Sequence, residues 1–342
     1  MVRLLFIFIL SFYISSIYAS STYETSEVNE FINYMYDKHA YDRKKLKNLF
    51  NKVKTESRLK KFFKKAPERT LTWNGCNTTD INCTNYKNLF VNISHIKQGR
   101  KFWNENKQIL NKAYKVFGVP PEIITAIIGI ETKFGQRTGS FKTFDTLASL
   151  SLGPNKGRRA KFFKSELINF LLLCDENNLN PSKIKGSYAG ALGKPQFISS
   201  SYRNYAIDFD NDNKVDLWNS NADVIGSVAN YLKKHGWKKN DLILSRMIFD
   251  EDSAEFVHDI SKKSYKPHTR YKFFKEKNIN SNEHIYENNL ISVIARQELS
   301  GNVYSFGHKN FYAITRYNRS RLYALAVYFL GENIKSYKIK QN

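Results

Sequence analysis

The chain has 342 residues, 42% of them apolar, and a formal net charge of +23. That length and apolar fraction allow a large buried core and exclude a globally disordered chain. The charge suits a nucleic acid, an anionic membrane or an anionic polymer, but the lysines are spread along the chain, which implies general affinity without sequence reading.

At the N-terminus, Arg3 precedes LLFIFILSFYISSI and then Tyr18-Ala19-Ser20-Ser21. A basic residue, a short apolar run and small residues predict a signal peptide over 1–19, cleaved after Ala19. The run is too short and poorly flanked for a transmembrane helix. No Cys follows it to carry a lipid anchor. The chain is therefore expected to be exported; left uncleaved, the same segment is an N-terminal anchor.

Residues 22–65 alternate aromatic and charged residues at helical spacing and end in a basic run, 58–65. Of the three cysteines, Cys76 and Cys83 flank the polar stretch CNTTDINC, where an exported chain has the conditions for a local disulfide. A metal site there lacks any His in the loop. Cys174, in FLLLC, reads as a buried free thiol. Residues 94–117 predict one amphipathic helix with Ser94 as N-cap.

The sharpest segment follows: VPPEIITAIIGIETKFG, from Val119 to Gly135. Pro120-Pro121 suits a helix start, and Glu122 in the first turn reads as a favourable charge at the N-terminus. Glu131 lies near the end, with Ile128, Ile127 and Ile124 on its own face. Desolvation there should raise its pKa, keeping an acid protonated near neutral pH and ready to protonate a leaving group. The competing reading is a partly exposed Glu at a helix end.

Asp145, in KTFDTLASL, predicts a helix cap, and 159–176 a further strong helix. Residues 186–202, GSYAGALGKPQFISSSY, carry Gly186, Ala189, Gly190 and Gly193, then Gln196 and three serines. Such a stretch permits close approach to an extended polar ligand, or a tight helix crossing. In 208–219, DFDNDNKVDLWN, Asp208, Asp210, Asp212 and Asp216 occupy loop positions one, three, five and nine. Lys214 offers its carbonyl and Asn219 stands at twelve, which is the oxygen spacing of an EF-hand-like calcium loop. Asn213 replaces the usual Gly at six, and Asn219 lacks a bidentate carboxylate, so modest affinity is expected, for Ca²⁺ or Na⁺; the competing reading is a solvated acidic turn. Residues 222–235 predict another helix, 237–310 a small β-rich subdomain, and 319–336 a last helix. The fold class expected is α+β, mostly α.

Five stretches in order, QGRKFWNENKQIL, GVPPEIITAIIGIETKFG, GSYAGALGKPQFISSSYRNYAIDFDNDNKVDLW, VIGSVANYLKKHGW and NFYAITRYNRSRLYALAVYFLG, resemble the membrane-bound lytic murein transglycosylase B family, glycoside hydrolase family 103. They span about residues 90 to 335. The resemblance implies a lysozyme-like core over 20–236 with additional N-terminal helices, the β-rich subdomain, and a C-terminal helix over 311–342 returning to the core. It implies cleavage in the periplasm of the β-1,4 bond between N-acetylmuramic acid and N-acetylglucosamine of peptidoglycan glycan strands, by a monomer acting alone or with other cell-wall enzymes. Glu131 matches the family's acid/base. Ser187, Gln196, Tyr231, Tyr317 and Asn318 match its sugar contacts, and Asp208, Asp210, Asp212, Lys214 and Asn219 its metal loop. Lys194-Pro195 departs from many members, as does Asn219. Tyr202, Tyr231 and Tyr317 are aromatic platforms for sugar faces, each equally a core residue.

Glycosidases ordinarily pair two carboxylates; here one is convincing. A single Glu131 suffices, without cofactor, if the substrate's N-acetyl group stabilises the positive charge and its C6 hydroxyl closes onto C1, leaving a 1,6-anhydro end. The alternatives are a lysozyme-type hydrolase, a non-catalytic peptidoglycan-binding protein, and a nucleic-acid binder, the last without a recognition motif.

Overall fold

The computed structural model describes residues 26–54, 59, 71–74, 85–153 and 157–337. The expected signal peptide, the Cys76/Cys83 loop and most of the 58–65 basic run lie outside the described residues.

The centre of the fold is a helix that is apolar on nearly every side, and such a helix belongs in a core. In chain order the helices around it begin with α1 (Ser26–His39), α2 (Arg43–Phe50), α3 (Tyr86–Phe90), α4 (Ile93–Glu105), α5 (Lys107–Phe117) and α6 (Pro121–Thr132). The 94–117 segment is thus two helices, not one. Asn106 breaks it with φ −113° and ψ 21°, its side chain donating to the Phe102 carbonyl. The N-cap is Asn92, which accepts from the His95 amide; Ser94 lies inside the helix.

In α6, Pro121 takes the first turn and residues Glu122 to Gly129 are all buried. Glu122 is paired with Lys335 at 2.9 Å, which makes it a buried ion-pair partner as well as a first-turn charge. The helix packs against α4, α5, α10 (Asn221–Lys234) and α14 (Arg321–Ser336). It ends in three successive left-handed residues, Lys133, Phe134 and Gly135. Phe134 folds back over Gly129, where a Cβ would meet the ring at 2.6 Å. Left-handed Lys and Phe cost on the order of 1 kcal/mol each, so the turn carrying Glu131 is held by packing.

Strands β1 (Phe141–Lys142) and β2 (Lys185–Gly186) make a short antiparallel pair. Between them run α7 (Thr143–Ser151) and α8 (Ala160–Glu176). Asp145 lies in the first turn of α7 and Lys142 holds the cap position, so the cap expected of Asp145 is displaced by three residues. Cys174 on α8 is buried and free. The short α9 (Ser199–Tyr205) begins on α8: the Glu166 carboxylate accepts from the Ser200 amide and hydroxyl at 2.9 and 2.8 Å.

Beyond α10 the texture changes. Strands β3 (Leu244–Arg246), β4 (Thr269–Arg270), β5 (Leu290–Glu298) and β6 (Gly301–Gly307) form an antiparallel sheet in the order β3-β6-β5-β4. They share their own core, including Val257, Phe274, Ile279, Ile291, Val293 and Phe306, with α11 (Ala254–Ser261) and α12 (Tyr271–Lys275). These two helices interrupt a stretch whose composition reads as strand. Glu298 ties the end of β5 to the irregular segment 71–74 by accepting from Trp73 Nε1 and Asn74 Nδ2. The chain returns through α13 (Lys309–Tyr317) and α14. Among the described residues no single helix is long and apolar enough to cross a membrane.

At the return, His308 is buried and its Nε2 lies 2.9 Å from Ser245 Oγ. Burial pushes its pKa from 6.5 down to about 4, against the charges of Asp241 and Glu283. The unfolded chain therefore binds a proton that the folded one refuses as pH falls through 6.5 toward 4. This residue should remove about 2 kcal/mol of stability between pH 7 and pH 5. Urea unfolding at both pH values should show a clearly smaller loss for His308→Gln; equal losses would move the effect to other groups.

Candidate active site and acidic loop

Glu131 sits on the last turn of α6, half-buried, and its Oε1 accepts a 2.7 Å hydrogen bond from Tyr323 Oη on α14. Burial first, and then the Glu131 charge, push the Tyr323 hydroxyl well above its ordinary pKa. The phenol therefore stays a donor, and it fixes the direction of the carboxylate. Tyr317 lies nearly parallel to Tyr323, with ring centroids 6.3 Å apart at 11°. Burial and the same Glu131 charge raise its hydroxyl too.

From there an aromatic wall extends. Tyr317 contacts Phe197 and Tyr231, and Tyr231 stacks on His235 at 4.0 Å. The hydroxyls pin separate segments: Tyr317 donates to the Pro195 carbonyl and Tyr231 to the Arg316 carbonyl, each at 2.6 Å. Burial, ahead of Tyr205, pushes the Tyr231 hydroxyl up to about 12.

The glycine-rich loop closes the other side. Gln196, with φ +51°, donates its side-chain amide to the carbonyls of Gly193 and Thr138, at 2.8 and 3.2 Å. Ser187 Oγ accepts from the Ala189 and Ala191 amides. Gly139, at φ +98°, runs so close to β2 that a Cβ would meet the Gly186 carbonyl at 2.1 Å. Asn318 follows Tyr317 directly, at the end of α13. Glu131, Tyr317 and Tyr231 are thus linked through Tyr323 and ring contacts; Asn318 is the chain neighbour of Tyr317, Gln196 follows the Pro195 that Tyr317 bonds, and Ser187 lies on the same loop as Gln196. Tyr202 differs: it is 3% exposed and donates to the Val215 carbonyl at 2.6 Å, on the acidic loop. It is a core residue facing that loop.

In the acidic loop, carboxylate oxygens of Asp208, Asp210 and Asp212 lie within 4.8 Å of one another. Asn211 and Asn213 are left-handed, φ +64° and +67°, so Asn213 does the work expected of Gly at that position. Asp208 accepts from the amides of Asn211, Asp212 and Asn213. Three clustered carboxylates fit a hard cation taking oxygen ligands. Asn219 is turned elsewhere: its side chain donates to Asp216 Oδ2 at 2.8 Å, and its backbone amide to Oδ1 at 2.9 Å. The two residues expected at the loop's exit therefore satisfy one another.

Two residues of this region were not anticipated. Tyr323 lies 192 positions from Glu131, beyond any local pattern. Asp223 is 1% exposed and accepts from the Phe209 and Asp216 amides, both at 2.8 Å, clasping both ends of the loop. Burial raises its pKa, the two amides oppose this, and the charges of Asp210 and Asp208 add to the rise. A signal for it existed: Ser220 three residues earlier makes a capping-box pattern, and Ser220 Oγ does accept from the Asp223 amide.

Residues 24–332 match the family described as Transglycosylase SLT domain. Membrane-bound lytic murein transglycosylase B of Escherichia coli (strain K12) is 36% identical over 307 residues, 89% of this chain and 81% of that protein. Catenated lytic transglycosylase SltB1 from Pseudomonas aeruginosa superposes with a TM-score of 0.83 at 34% identity, covering 91% of this chain and 97% of that one. Escherichia coli Slt35, solved in complex with calcium, gives 0.78 at 33% identity, covering 91% and 93%.

Asp223→Ala leaves the buried Phe209 amide and the part-buried Asp216 amide without their charged acceptor. It should cost about 3 kcal/mol, read as a drop in thermal midpoint. A loss below about 1 kcal/mol, within the range of an ordinary surface change, would show that Asp223 does not hold the loop.

Proposed function

The chain belongs to the transglycosylase SLT domain family and is a peptidoglycan lytic transglycosylase, and from that premise we propose that Glu131 alone supplies the acid and the base of the reaction. The observation that carries this reading is one carboxylate at the end of a buried helix, held through Oε1 by a tyrosine that stays protonated.

Protonated on Oε2, Glu131 gives its proton to the glycosidic oxygen as the bond from C1 of N-acetylmuramic acid breaks. The carbonyl oxygen of the sugar's own N-acetyl group bonds to C1 and takes up the positive charge. The Glu131 carboxylate then removes the proton of the C6 hydroxyl, and O6 displaces the acetamido oxygen at C1. The product carries a 1,6-anhydro ring, Glu131 is protonated again, and no water is consumed. Tyr323 donates to the same oxygen throughout, so the acid and base forms share one geometry.

Ser187, Gln196, Tyr231, Tyr317 and Asn318 are proposed to hold the strand along this turn. Gln196 and the tyrosine hydroxyls are already bonded to the backbone. Their contribution is therefore a fixed wall whose ring faces and edges receive sugar, with few side chains to reorder on binding. Tyr202 is proposed as a clamp on the acidic loop and not as a sugar platform. A cavity of about 790 Å³ beside Thr138 and Gly139 is lined by Lys183, Lys185 and Lys214 together with Glu176 and Asp216, a mixed polar lining with one more cation than carboxylates.

Asp208, Asp210, Asp212 and the Lys214 carbonyl would hold a Ca²⁺, which supplies charge neutralisation to the loop and no step of the chemistry. With the leader expected over 1–19, the chain is proposed to work as an exported, periplasmic enzyme on glycan strands.

The test is a mass spectrum of the fragments released from peptidoglycan sacculi. Anhydro ends, one water lighter than hydrolysed fragments, are expected; reducing ends would convert the reading to a hydrolase. Glu131→Gln should lower turnover at least about a hundredfold in a folded protein. Tyr323→Phe should lower kcat by about tenfold with KM little changed, because the interaction serves the reacting group and not the bound strand. An unchanged kcat would remove Tyr323 from the mechanism.

A further inference from the structure

The acidic loop and the catalytic turn are joined through one residue, Lys194. Its backbone amide donates to the Leu217 carbonyl at 2.8 Å, on the exit of the loop. Its ammonium donates to the Asn221 side-chain oxygen at 2.6 Å and to the Asn219 carbonyl at 3.2 Å. Its own carbonyl accepts from Thr132 Oγ1 at 2.8 Å, and Thr132 is the residue after Glu131. Thr132 Oγ1 also accepts from the Gly135 amide, and the Lys194 stem lies along Gly135, where a Cβ would meet it at 3.0 Å. One side chain and its peptide therefore touch both the loop's exit and the left-handed turn that carries Glu131.

The charge at that point matters. The front of the loop gathers three carboxylates. Its exit has Asn219 where a bidentate carboxylate would bind a cation, and Asp216 is satisfied by Asn219 and Trp218. Burial opposes the Asp216 charge, but these hydrogen bonds and the Lys194 charge hold its pKa below the ordinary value. Burial in turn lowers the Lys194 pKa, with Asp216 opposing. At the exit of the loop, the Asn219 carbonyl and the Asn221 side-chain oxygen are gathered by a tethered ammonium.

We propose that Lys194 is a positioning residue, a built-in cation that locks the exit of the acidic loop to the catalytic turn, so that Glu131 stays aligned whether or not the loop holds a metal. This rests on the reading of Glu131 given above. In wild type, the chemistry is then insensitive to chelation, because the covalently attached charge cannot be removed. Without it, alignment depends on a divalent ion drawing the loop together from its other half.

The experiment compares wild type, Lys194→Met and Lys194→Arg in excess EDTA and in millimolar calcium, by steady-state turnover of sacculi and by thermal midpoint. Wild-type kcat should change less than about twofold with calcium, while Lys194→Met in EDTA should lose about tenfold in kcat at unchanged KM and recover most of it with calcium. Lys194→Arg should recover most of the lost rate. The thermal midpoint of Lys194→Met should rise more with calcium than that of wild type. If Lys194→Met is poorly folded, Asn221→Ala removes the ammonium's nearest acceptor and should show the same calcium-dependent kcat. The proposal is overturned if wild type itself needs calcium, or if Lys194→Met matches wild type in kcat and in calcium-dependent midpoint. A wild type that releases no anhydro products sinks the reading of Glu131, while the midpoint comparison still decides the role of Lys194.

Discussion

A carboxylate has to end a helix that is buried on almost every side, and the rest of the structure accommodates that. The residues of helix α6 just before Glu131 are isoleucines and a glycine. A carboxylate left unpaired in such a place would cost several kcal/mol. The Tyr323 hydroxyl supplies a donor from α14, the helix packed along α6. A hydrogen bond to a charged group contributes about 1.5 to 3 kcal/mol, enough to fix the side chain's direction.

The same economy recurs in the wall of tyrosines. Each hydroxyl goes to a different piece of chain: Tyr323 to Glu131, Tyr317 to Pro195, Tyr231 to Arg316, Tyr202 to Val215. Burial raises all four pKa values. Each remains a donor, and each donor spans from one segment of the site to another. The rings fill the core while the hydroxyls set the spacing between segments, so each tyrosine packs and tethers at once.

Much of this was legible from local pattern. Helix α6, its proline start and the place of Glu131 near its end follow from apolar periodicity and end signals, and the left-handed Asn213 from loop spacing. What escaped was of two kinds. Asn106 splits a continuous amphipathic pattern because its side chain competes for the Phe102 carbonyl. A periodicity reading registers only the apolar stripe, which continues across the break. Helices α11 and α12 sit in a segment rich in β-formers because their apolar residues cover the sheet, a tertiary demand that overrides propensity. In the site, partners from distant sequence were invisible: Tyr323 on α14, and Asp223 beyond the loop it holds. Asn219 misled because spacing assigns a position and not a direction; its amide turns to Asp216.

The acidic loop shows how far organisation can precede an ion. In an open acidic turn, three carboxylates would repel and spread. Here Asp208 accepts three backbone amides, Asp212 accepts from the Lys214 amide, and Asp210 from Ser220 Oγ. The buried Asp223 ties Phe209 to Asp216. The loop's shape is therefore specified by the chain's own donors, and the repulsion that remains is confined to its front. A cation binding there relieves charge without having to build the loop, which limits how much folding free energy its binding can carry. Shape is thus set by hydrogen bonds within the chain, and only the charge of the front carboxylates is left for a cation to balance.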